Sequence, residues 1–374
     1  MGEKTASLVG LQSKELPLIP ETVRYSDYAV QLRSRSPTAN GNGSPQIRFS
    51  VSGTDRYAKG SEVLRFAILK GLAYTNFLVS HPNLLSCKDS PSLYFVVQEI
   101  PAEQLNKKVV LTGGTLVGLL LPERYKGEDI DLVTASDIPT EILKAGRVPR
   151  KVLYNPKTKE RIQDQIEDIK KYSNSWLKQR SSDYKITQID FQDFEWGGRY
   201  AVWLIDKKSP EEPKGVVSLE TTIIREHAEP PEVRPIENPY DFAMEGDEYK
   251  TPVLSINRNE LMAQKFRAAY YNLNKGDKEK GKASMDLFDA FLLDLHHKAR
   301  LTYDMLDKKL KEMGGYSVEG MKRKLEERIK EVKERPPRQQ EVADEWLQQL
   351  ESIYPSQEDI LQWALELLKG TASK

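Results

Sequence analysis

Residues 111–135, LTGGTLVGLLLPERYKGEDIDLVTA, constrain the fold of this chain more than any other stretch. A short apolar run at 109–112 ends in Gly113-Gly114-Thr115, and a second apolar run follows at 116–121. The pattern predicts a strand, a glycine turn and the start of a helix. Because glycine has no Cβ atom, Gly113 and Gly114 can adopt positive φ and bring backbone N–H groups close to an anion. The N-terminus of the helix adds further donors and partial positive charge, so the turn is predicted to bind a phosphate.

A pair of aspartates, Asp129 and Asp131, lies in the strand-like run EDIDLV. Side chains two residues apart on a strand point to the same face, so the two carboxylates are predicted to lie side by side. Mg²⁺ binds through one or two carboxylates together with substrate phosphates. The sequence therefore predicts that Asp129 and Asp131 hold a metal ion beside the phosphate turn. The alternative is a solvated strand end next to an ordinary turn, since short motifs also match by chance.

The composition is that of an ordinary globular protein and excludes several classes of site. At 374 residues the chain can hold two or three domains. Its 56 basic residues balance its 56 acidic ones, so any RNA-binding surface has to be a local patch. A single cysteine permits no internal disulfide, and four histidines argue against a zinc site. No apolar run reaches the roughly 18 residues needed to span a bilayer, and we expect a cytoplasmic, intracellular protein without membrane contact.

The residues before the glycine turn predict an arm and a packing helix. Residues 1–55 include SRSPTANGNGSPQ and predict a flexible N-terminal arm. Apolar residues recur at helical spacing through 61–78, which predicts a helix that packs in front of the site. His81 and Cys87 follow in a loop, where we favour structural roles over nucleophilic catalysis because no orienting acid is evident. Residues 138–172 predict charged helices, whose basic residues form either an RNA-binding patch or a solvated face.

Three β-branched segments with alternating polarity predict strands at 185–191, 200–206 and 215–225. The last of these places Glu220 on an apolar strand, where a third carboxylate could complete the metal shell or deprotonate an attacking hydroxyl. Asp190, on the first of the three, competes for the same role. A plain surface acid is the alternative for both residues.

A proline-rich and acidic segment, 227–249, predicts an extended linker and a domain boundary near residue 245. Beyond it, helical spacing predicts helices within 253–272 and 283–295, joined by a charged loop at 274–282. The remainder of the chain also has helical patterns, in which Trp346 and Trp363 are expected to pack the helices together, with an RNA-stacking role as the alternative.

The order of these motifs resembles a known superfamily. Gly113-Gly114-Thr115, thirteen intervening residues and Asp129-Ile130-Asp131 resemble the signature of the DNA polymerase β-type nucleotidyltransferases, in particular the AbiEii-type toxin family. The segment VVSLETTIIRE, which contains Glu220, resembles the AbiEii-type strand that carries the third acid.

Two further helices resemble AbiEii-type motifs. The E-x-x-A-x-K-x-x-A helix is matched by Glu260, Ala263, Lys265 and Ala268. The R-D-x-x-D-L helix is matched by Asp286 and Asp289. This chain departs from the second motif in having Met285 at the arginine position and Ala290 at the leucine position. The resemblance implies that Lys265 binds the nucleotide triphosphate. It also implies that Asp286 either joins the active-site acids or orients that lysine. The alternative for Lys265 is a surface lysine on a packing helix.

The resemblance implies an α/β (α+β) fold: a polymerase β-type nucleotidyltransferase domain with a mixed sheet at 56–245, followed by a helical domain at 246–374 that completes the active-site cleft. It implies transfer of NMP from an NTP, with Mg²⁺ or Mn²⁺, to an acceptor hydroxyl, foremost an RNA such as a tRNA 3′ end. The alternatives are nucleotidylation of a protein target, or a catalytically silent protein that binds a nucleotide or a partner. The sequence indicates no base preference, antitoxin or oligomeric state, nor whether toxin function applies.

Overall fold

The computed structural model describes most of the sequence between residues 46 and 371. The described ranges are 46–51, 54–78, 101–121, 129–138, 150–194, 197–237, 250–275, 277–312, 316–334 and 356–371. The predicted arm up to residue 45, the loop with His81 and Cys87, residues 139–149 and Trp346 lie outside them. Internal contacts divide the chain into two compact units, Tyr28–Asn257 and Arg258–Lys374, which we call the sheet unit and the helical unit.

The sheet unit contains all the strands of the described residues. These are β1 (Gln46–Val51), β2 (Thr54–Lys59), β3 (Val110–Leu111), β4 (Asp129–Ala135), β5 (Tyr184–Phe194), β6 (Gly197–Asp206), β7 (Ser209–Ile224), β8 (Glu232–Glu237) and β9 (Lys250–Ser255). Its helices are α1 (Gly60–Leu78), α2 (Ala102–Asn106), α3 (Gly113–Leu120), α4 (Arg150–Leu153) and α5 (Pro156–Lys178).

The helical unit contains the remaining helices. They are α6 (Arg258–Leu273), α7 (Asp277–His297), α8 (Tyr303–Lys311), α9 (Val318–Glu334) and α10 (Gln357–Thr371). No helix among the described residues is long and apolar enough to cross a membrane.

Seven of the described strands form one mixed sheet in the order β5-β6-β7-β4-β3-β9-β8. The pairs β4/β7 and β3/β9 are parallel, and the other neighbours are antiparallel. The prediction of a mixed α/β sheet followed by helices is therefore confirmed. The three strands predicted from alternating polarity are β5, β6 and β7, while β1 and β2 form a separate hairpin.

One face of this sheet is covered by helices and the other is more open. On β6, Tyr200, Val202 and Leu204 are buried, and helices α1 and α5 contact β7 and β5. Apolar burial on one face is the main source of stability for such a layer. The alternate residues of β6, which include Arg199, are less buried. Polar side chains on this second face are therefore available for a site.

The packing of α1 against α5 depends on a glycine. A Cβ atom at Gly71 would lie 2.2 Å from Ser173 Oγ and 2.4 Å from the backbone oxygen of Ile169. Both distances are shorter than van der Waals contact, so the helices approach too closely for a larger residue. The rings of Phe66 and Trp176 pack edge to face beside this contact, with centroids 5.3 Å apart.

Aromatic side chains form the core of the helical unit. The ring of Trp363 on α10 lies 5.9 Å from that of Phe266 on α6 and 5.4 Å from that of Phe291 on α7. Trp363 therefore packs α10 onto α6 and α7, as its helical spacing predicted.

An ion pair is also buried in this unit. Lys309 and Glu260 have fully buried side chains, with Nζ 2.7 Å from Oε1. Burial opposes the charged form of Lys309, but the carboxylates of Glu312 and Glu260 outweigh it and raise the pKa of the lysine above its ordinary value. The first residue of the E-x-x-A-x-K motif thus ties α6 to α8.

Several predicted element boundaries were wrong. Residues 232–237, interpreted as part of a linker, form strand β8 at the edge of the sheet. Pro235 hid this strand, because proline lacks an N–H donor and is tolerated only at edges. The charged loop predicted at 274–282 is shorter, since α7 begins at Asp277 and its lysines and glutamate favour helix. Gln46–Val51, placed in the predicted arm, forms β1.

Candidate active site

The glycine turn links β3 to α3 and holds an unusual backbone conformation. Gly113 has a φ of +64°, a region that L-residues with side chains rarely adopt. A Cβ atom built on Gly113 would lie 2.2 Å from Asp131 Oδ2. Two constraints therefore require glycine at position 113: the positive φ of its backbone and the close approach of the Asp131 carboxylate. The helix begins at Gly113, three residues earlier than its apolar run predicted.

Hydrogen bonds join the turn to the strand that carries the aspartates. The N–H of Gly114 donates to Asp131 Oδ2 at 2.9 Å, and the N–H of Thr112 donates to the backbone oxygen of Asp131, also at 2.9 Å. The hydroxyl of Thr115 donates to the backbone oxygen of Asp129. The predicted phosphate turn and the predicted metal ligands therefore lie against each other.

These contacts provide acceptors for only some of the backbone N–H groups in the first turn of α3. One of its donors, the N–H of Gly114, is occupied by Asp131. Within the described part of the chain, the N–H groups of Gly113 and Thr115 have no hydrogen-bond acceptor. Helix N-termini with such groups are suited to an anion. The turn can thus bind a phosphate next to the carboxylate of Asp131.

Asp129 and Asp131 alternate with buried residues on β4. Ile130 and Leu132 are buried on one face, whereas Asp129 is exposed and Asp131 is half-buried on the other. The predicted strand and the shared face of the two aspartates are confirmed. Their role as metal ligands stays a prediction.

Glu220 lies directly beside this pair. Strands β4 and β7 are parallel, and Asp131 is in register with Glu220. Residues in register on neighbouring strands project from the same face, one strand spacing or about 4.8 Å apart. The sheet therefore brings Glu220 next to the two aspartates.

Asp190 lies on the same row of the sheet but much further away. Asp190 is in register with Ala201 of β6, and Ala201 is in register with Ser218 of β7. Ser218 is in turn in register with Asp129 of β4. Three strand spacings, about 14 Å, separate Asp190 from Asp129. The exposed Asp190 carboxylate accepts a hydrogen bond from the N–H of Phe191 at 2.7 Å. Of the two candidates for the third carboxylate, only Glu220 adjoins the aspartates.

Arg199 is a residue of this site that the sequence did not single out. It is in register with Glu220 on the antiparallel β6/β7 pair, and its Nε donates to Glu220 Oε1 at 2.7 Å. The row Arg199, Glu220 and Asp131 thus crosses three neighbouring strands. The alternation of polarity identified β6, but only the pairing of β6 with β7 reveals what Arg199 contacts.

The donor set suits a hard cation that also binds substrate. Among the described residues, no group of three or more His, Cys, Asp or Glu side chains is arranged to hold a metal. Asp129 and Asp131 nevertheless supply two carboxylates on one face, and the turn can place phosphate oxygens beside them. Oxygen ligands from two carboxylates and a phosphate fit Mg²⁺ or Mn²⁺. These residues do not form a closed metal site made of protein ligands alone.

Two helical residues behind the site support its strands, and the sequence did not identify them either. Arg161 of α5 donates from Nε to Asp137 Oδ2 at 2.7 Å and from Nη2 to the oxygen of Ala135, also at 2.7 Å. Gln165, one turn later, accepts from the N–H of Val109 at 2.8 Å. These contacts hold the C-terminal end of β4 and the start of β3, and therefore fix the position of the turn.

Lys265 lies in the helical unit and is held by two carboxylates. Its Nζ is 3.0 Å from Asp286 Oδ1 and 2.8 Å from Asp289 Oδ2, and its side chain is only 11% exposed. Asn272 donates to the other oxygen of Asp286 at 3.2 Å. Of the two roles implied for Asp286, orienting the lysine matches these contacts, and Asp289 shares it. A surface lysine is excluded, while nucleotide binding by Lys265 stays a prediction.

Comparison with known proteins supports the family resemblance. The family described as "Nucleotidyl transferase AbiEii toxin, Type IV TA system" matches residues 95–367, well over half of the chain. No curated protein matches the sequence.

Solved structures were also matched. JHP933 from Helicobacter pylori is 18% identical, with 83% of this chain and 91% of that chain covered and a TM-score of 0.36. MenT4, a nucleotidyltransferase toxin from Mycobacterium tuberculosis H37Rv, is 15% identical, with 83% and 87% covered and a TM-score of 0.32. The family assignment rests on the match over residues 95–367.

Proposed function

The chain belongs to the AbiEii family of nucleotidyl transferase toxins, and we propose that it transfers NMP from an NTP to the hydroxyl of an RNA acceptor. The observation that carries the proposal is the hydrogen bond from the Gly114 N–H to Asp131. It joins a phosphate-binding turn to a carboxylate pair, which is the arrangement that metal-dependent phosphoryl chemistry needs.

The residues of the sheet unit have separate roles in this reaction. Gly113, Gly114 and Thr115 form the turn that binds a phosphate of the nucleotide. The N–H groups of Gly113 and Thr115 are its donors, while the N–H of Gly114 holds Asp131. Asp129 and Asp131 would hold Mg²⁺ or Mn²⁺, which when bound neutralises charge on the phosphates.

The transfer itself is an in-line displacement at the α-phosphorus. The acceptor hydroxyl oxygen forms a new bond to the α-phosphorus while the bond from that phosphorus to the β-phosphate oxygen breaks, and pyrophosphate leaves. Glu220, one strand spacing from Asp131, accepts the hydroxyl proton. The in-register position of Glu220 supports this role over Asp190.

We infer from the family motif that the Lys265 ammonium binds the triphosphate as a hydrogen-bond donor. A lysine ammonium is a compact point charge suited to phosphates. Asp286 and Asp289 hold it in place through ion pairs. These contacts support a positioned lysine.

The acceptor and the partners follow from the family. Resemblance to AbiEii-type enzymes supports an RNA acceptor, foremost a tRNA 3′ end, in the cytoplasm. Because the family is described as part of a type IV toxin–antitoxin system, we include a cognate antitoxin among the partners. The rival acceptor is a hydroxyl on a protein.

Incubation of the purified chain with each α-labelled NTP and Mg²⁺, with and without total RNA, tests the proposal. We expect label in a small RNA, dependent on the added metal and strongest for one NTP. Label in protein would replace the RNA acceptor with a protein target. The absence of label in both, together with no measurable NTP binding, would contradict transfer and leave a silent binding protein.

A further inference from the structure

Arg199 makes two contacts to Glu220, and both reach the same oxygen. Its Nε donates to Oε1 at 2.7 Å, and its Nη2 forms an ion pair with Oε1 as well. Within the described residues, Oε2 of Glu220 accepts no hydrogen bond. The guanidinium therefore holds one oxygen of the carboxylate and leaves the other available.

The guanidinium itself is held from a second direction. Its central carbon lies 5.9 Å from the centroid of the Phe194 ring, within the range of a cation–π contact. Arginine has a planar group that is always protonated and loses little freedom when it binds in this way. The Arg199 side chain is 48% exposed, so it lies at the rim of the site, where it can be replaced without opening the core.

The charge of the row gives Arg199 an effect on the metal ion. Asp129, Asp131 and Glu220 are three carboxylates on two adjacent strands, and their like charges repel each other. Without Arg199 the group has a formal charge of −3, and with it −2. The arginine thus weakens the attraction of the site for a cation while it fixes the carboxylate.

We propose that Arg199 is a positioning residue, which holds Glu220 through Oε1 so that Oε2 accepts the proton of the acceptor hydroxyl and Glu220 does not move onto the metal ion. The proposal rests on the proposed function. It predicts opposite effects of one substitution, since loss of Arg199 strengthens metal binding and slows nucleotidyl transfer.

The experiment measures Mn²⁺ binding to the full chain in the presence of an NTP analogue that cannot be transferred, and label transfer from NTP in parallel. For Arg199→Ala we expect Mn²⁺ to bind up to about fivefold more tightly, the size of an exposed ion pair. We expect transfer to slow by about 10- to 100-fold, since a misplaced group costs that much. Arg199→Lys should return Mn²⁺ affinity to the wild-type value and recover part of the transfer rate, because it restores the charge with a single nitrogen.

Lys170→Ala is the matched control. It removes one positive charge from an exposed ion pair with Glu167 on α5, away from the carboxylate row. Both measurements should stay at the wild-type level for this variant. A melting temperature within a few degrees of wild type identifies Arg199→Ala as folded.

The outcomes separate the two proposals. If Arg199→Ala binds Mn²⁺ with the wild-type affinity, the positioning role is overturned, whatever the transfer rate. It is also overturned if the wild-type chain binds no Mn²⁺. A wild-type chain that binds Mn²⁺, shows the tighter binding in Arg199→Ala and yet labels neither RNA nor protein leaves the effect of Arg199 on the site intact and refutes the proposed reaction.

Discussion

At the scale of single residues, the two glycines of the turn have different reasons to be glycine. Gly113 has positive φ, and a Cβ atom there would overlap the carboxylate of Asp131, whereas a Cβ at Gly114 would lie an ordinary 3.8 Å from Asp131 Oδ2. We expect Gly113→Ala to lower the free energy of unfolding by about 1–2 kcal/mol and transfer by about 100-fold. Gly114→Ala is the matched control.

Urea denaturation and label transfer measure both effects. Gly114→Ala should unfold within about 0.5 kcal/mol of wild type. Equal losses of unfolding free energy and of transfer rate in the two variants would show that the position of Asp131 does not depend on the conformation of Gly113.

The third carboxylate is also a question of single residues. Glu220 is in register with Asp131, and Asp190 is three strand spacings from Asp129. We expect Glu220→Gln to slow transfer by about 10²–10⁴, the contribution of a positioned general base. Asp190→Asn should keep transfer within about twofold. The two variants are compared by initial rates at saturating NTP, and the reverse ranking would assign the proton to Asp190.

At the scale of elements, the apolar residues of β4 and the alternation of β5 to β7 predicted these strands but not how they pair. Asp131 and Glu220 are separated by 89 positions, the difference between their residue numbers, and only the parallel register makes them neighbours. Polarity with a period of two defines which face a side chain takes, whereas pairing depends on contacts between distant segments. The carboxylates themselves were therefore predictable, and the contact of Arg199 with Glu220 was not.

The same limit applies to the helices. The spacing of Glu260 and Lys265 on α6 was visible as a motif, but the two residues have different partners in the fold. Lys265 pairs with the carboxylates of α7, while Glu260 pairs with Lys309 of α8. Sequence spacing located these charged groups and could not show which acid meets which base.

The pair of Glu260 and Lys309 gives a prediction about the helical unit. Among the described residues, removing Glu260 leaves the buried Lys309 with Glu312 alone, whose Oε1 is 3.7 Å away and offsets only part of the loss. We expect Glu260→Ala to lower the free energy of unfolding by about 3–5 kcal/mol in urea denaturation. Replacing both partners, as in Glu260→Leu with Lys309→Met, should recover much of this loss.

Glu327→Ala is the control on α9, because its ion pair with Lys324 is exposed. Its effect should be below about 1 kcal/mol. If Glu260→Ala lowered the free energy of unfolding by as little, Lys309 would be paired with another residue or hydrated in that variant.

At the scale of the whole molecule, the chain combines a sheet unit that carries the turn and carboxylates with a helical unit that carries Lys265. The balanced overall charge of 56 basic and 56 acidic residues means that long-range attraction does not select the acceptor. Specificity for the proposed RNA acceptor therefore has to come from local contacts. The units separate after Asn257, beyond the proline-rich segment from which the sequence predicted a boundary.

The most direct test of the account is metal-dependent pyrophosphate release by wild type and Asp129→Asn at increasing Mg²⁺. Asp129 is exposed on β4, so its replacement should change the free energy of unfolding by no more than about 0.5 kcal/mol. We predict Mg²⁺-dependent release by wild type and a loss of about 1,000-fold or more in Asp129→Asn, since a metal ion contributes several kcal/mol to such a reaction. Release by folded Asp129→Asn at the wild-type rate would contradict the assignment of the carboxylate pair as the catalytic centre.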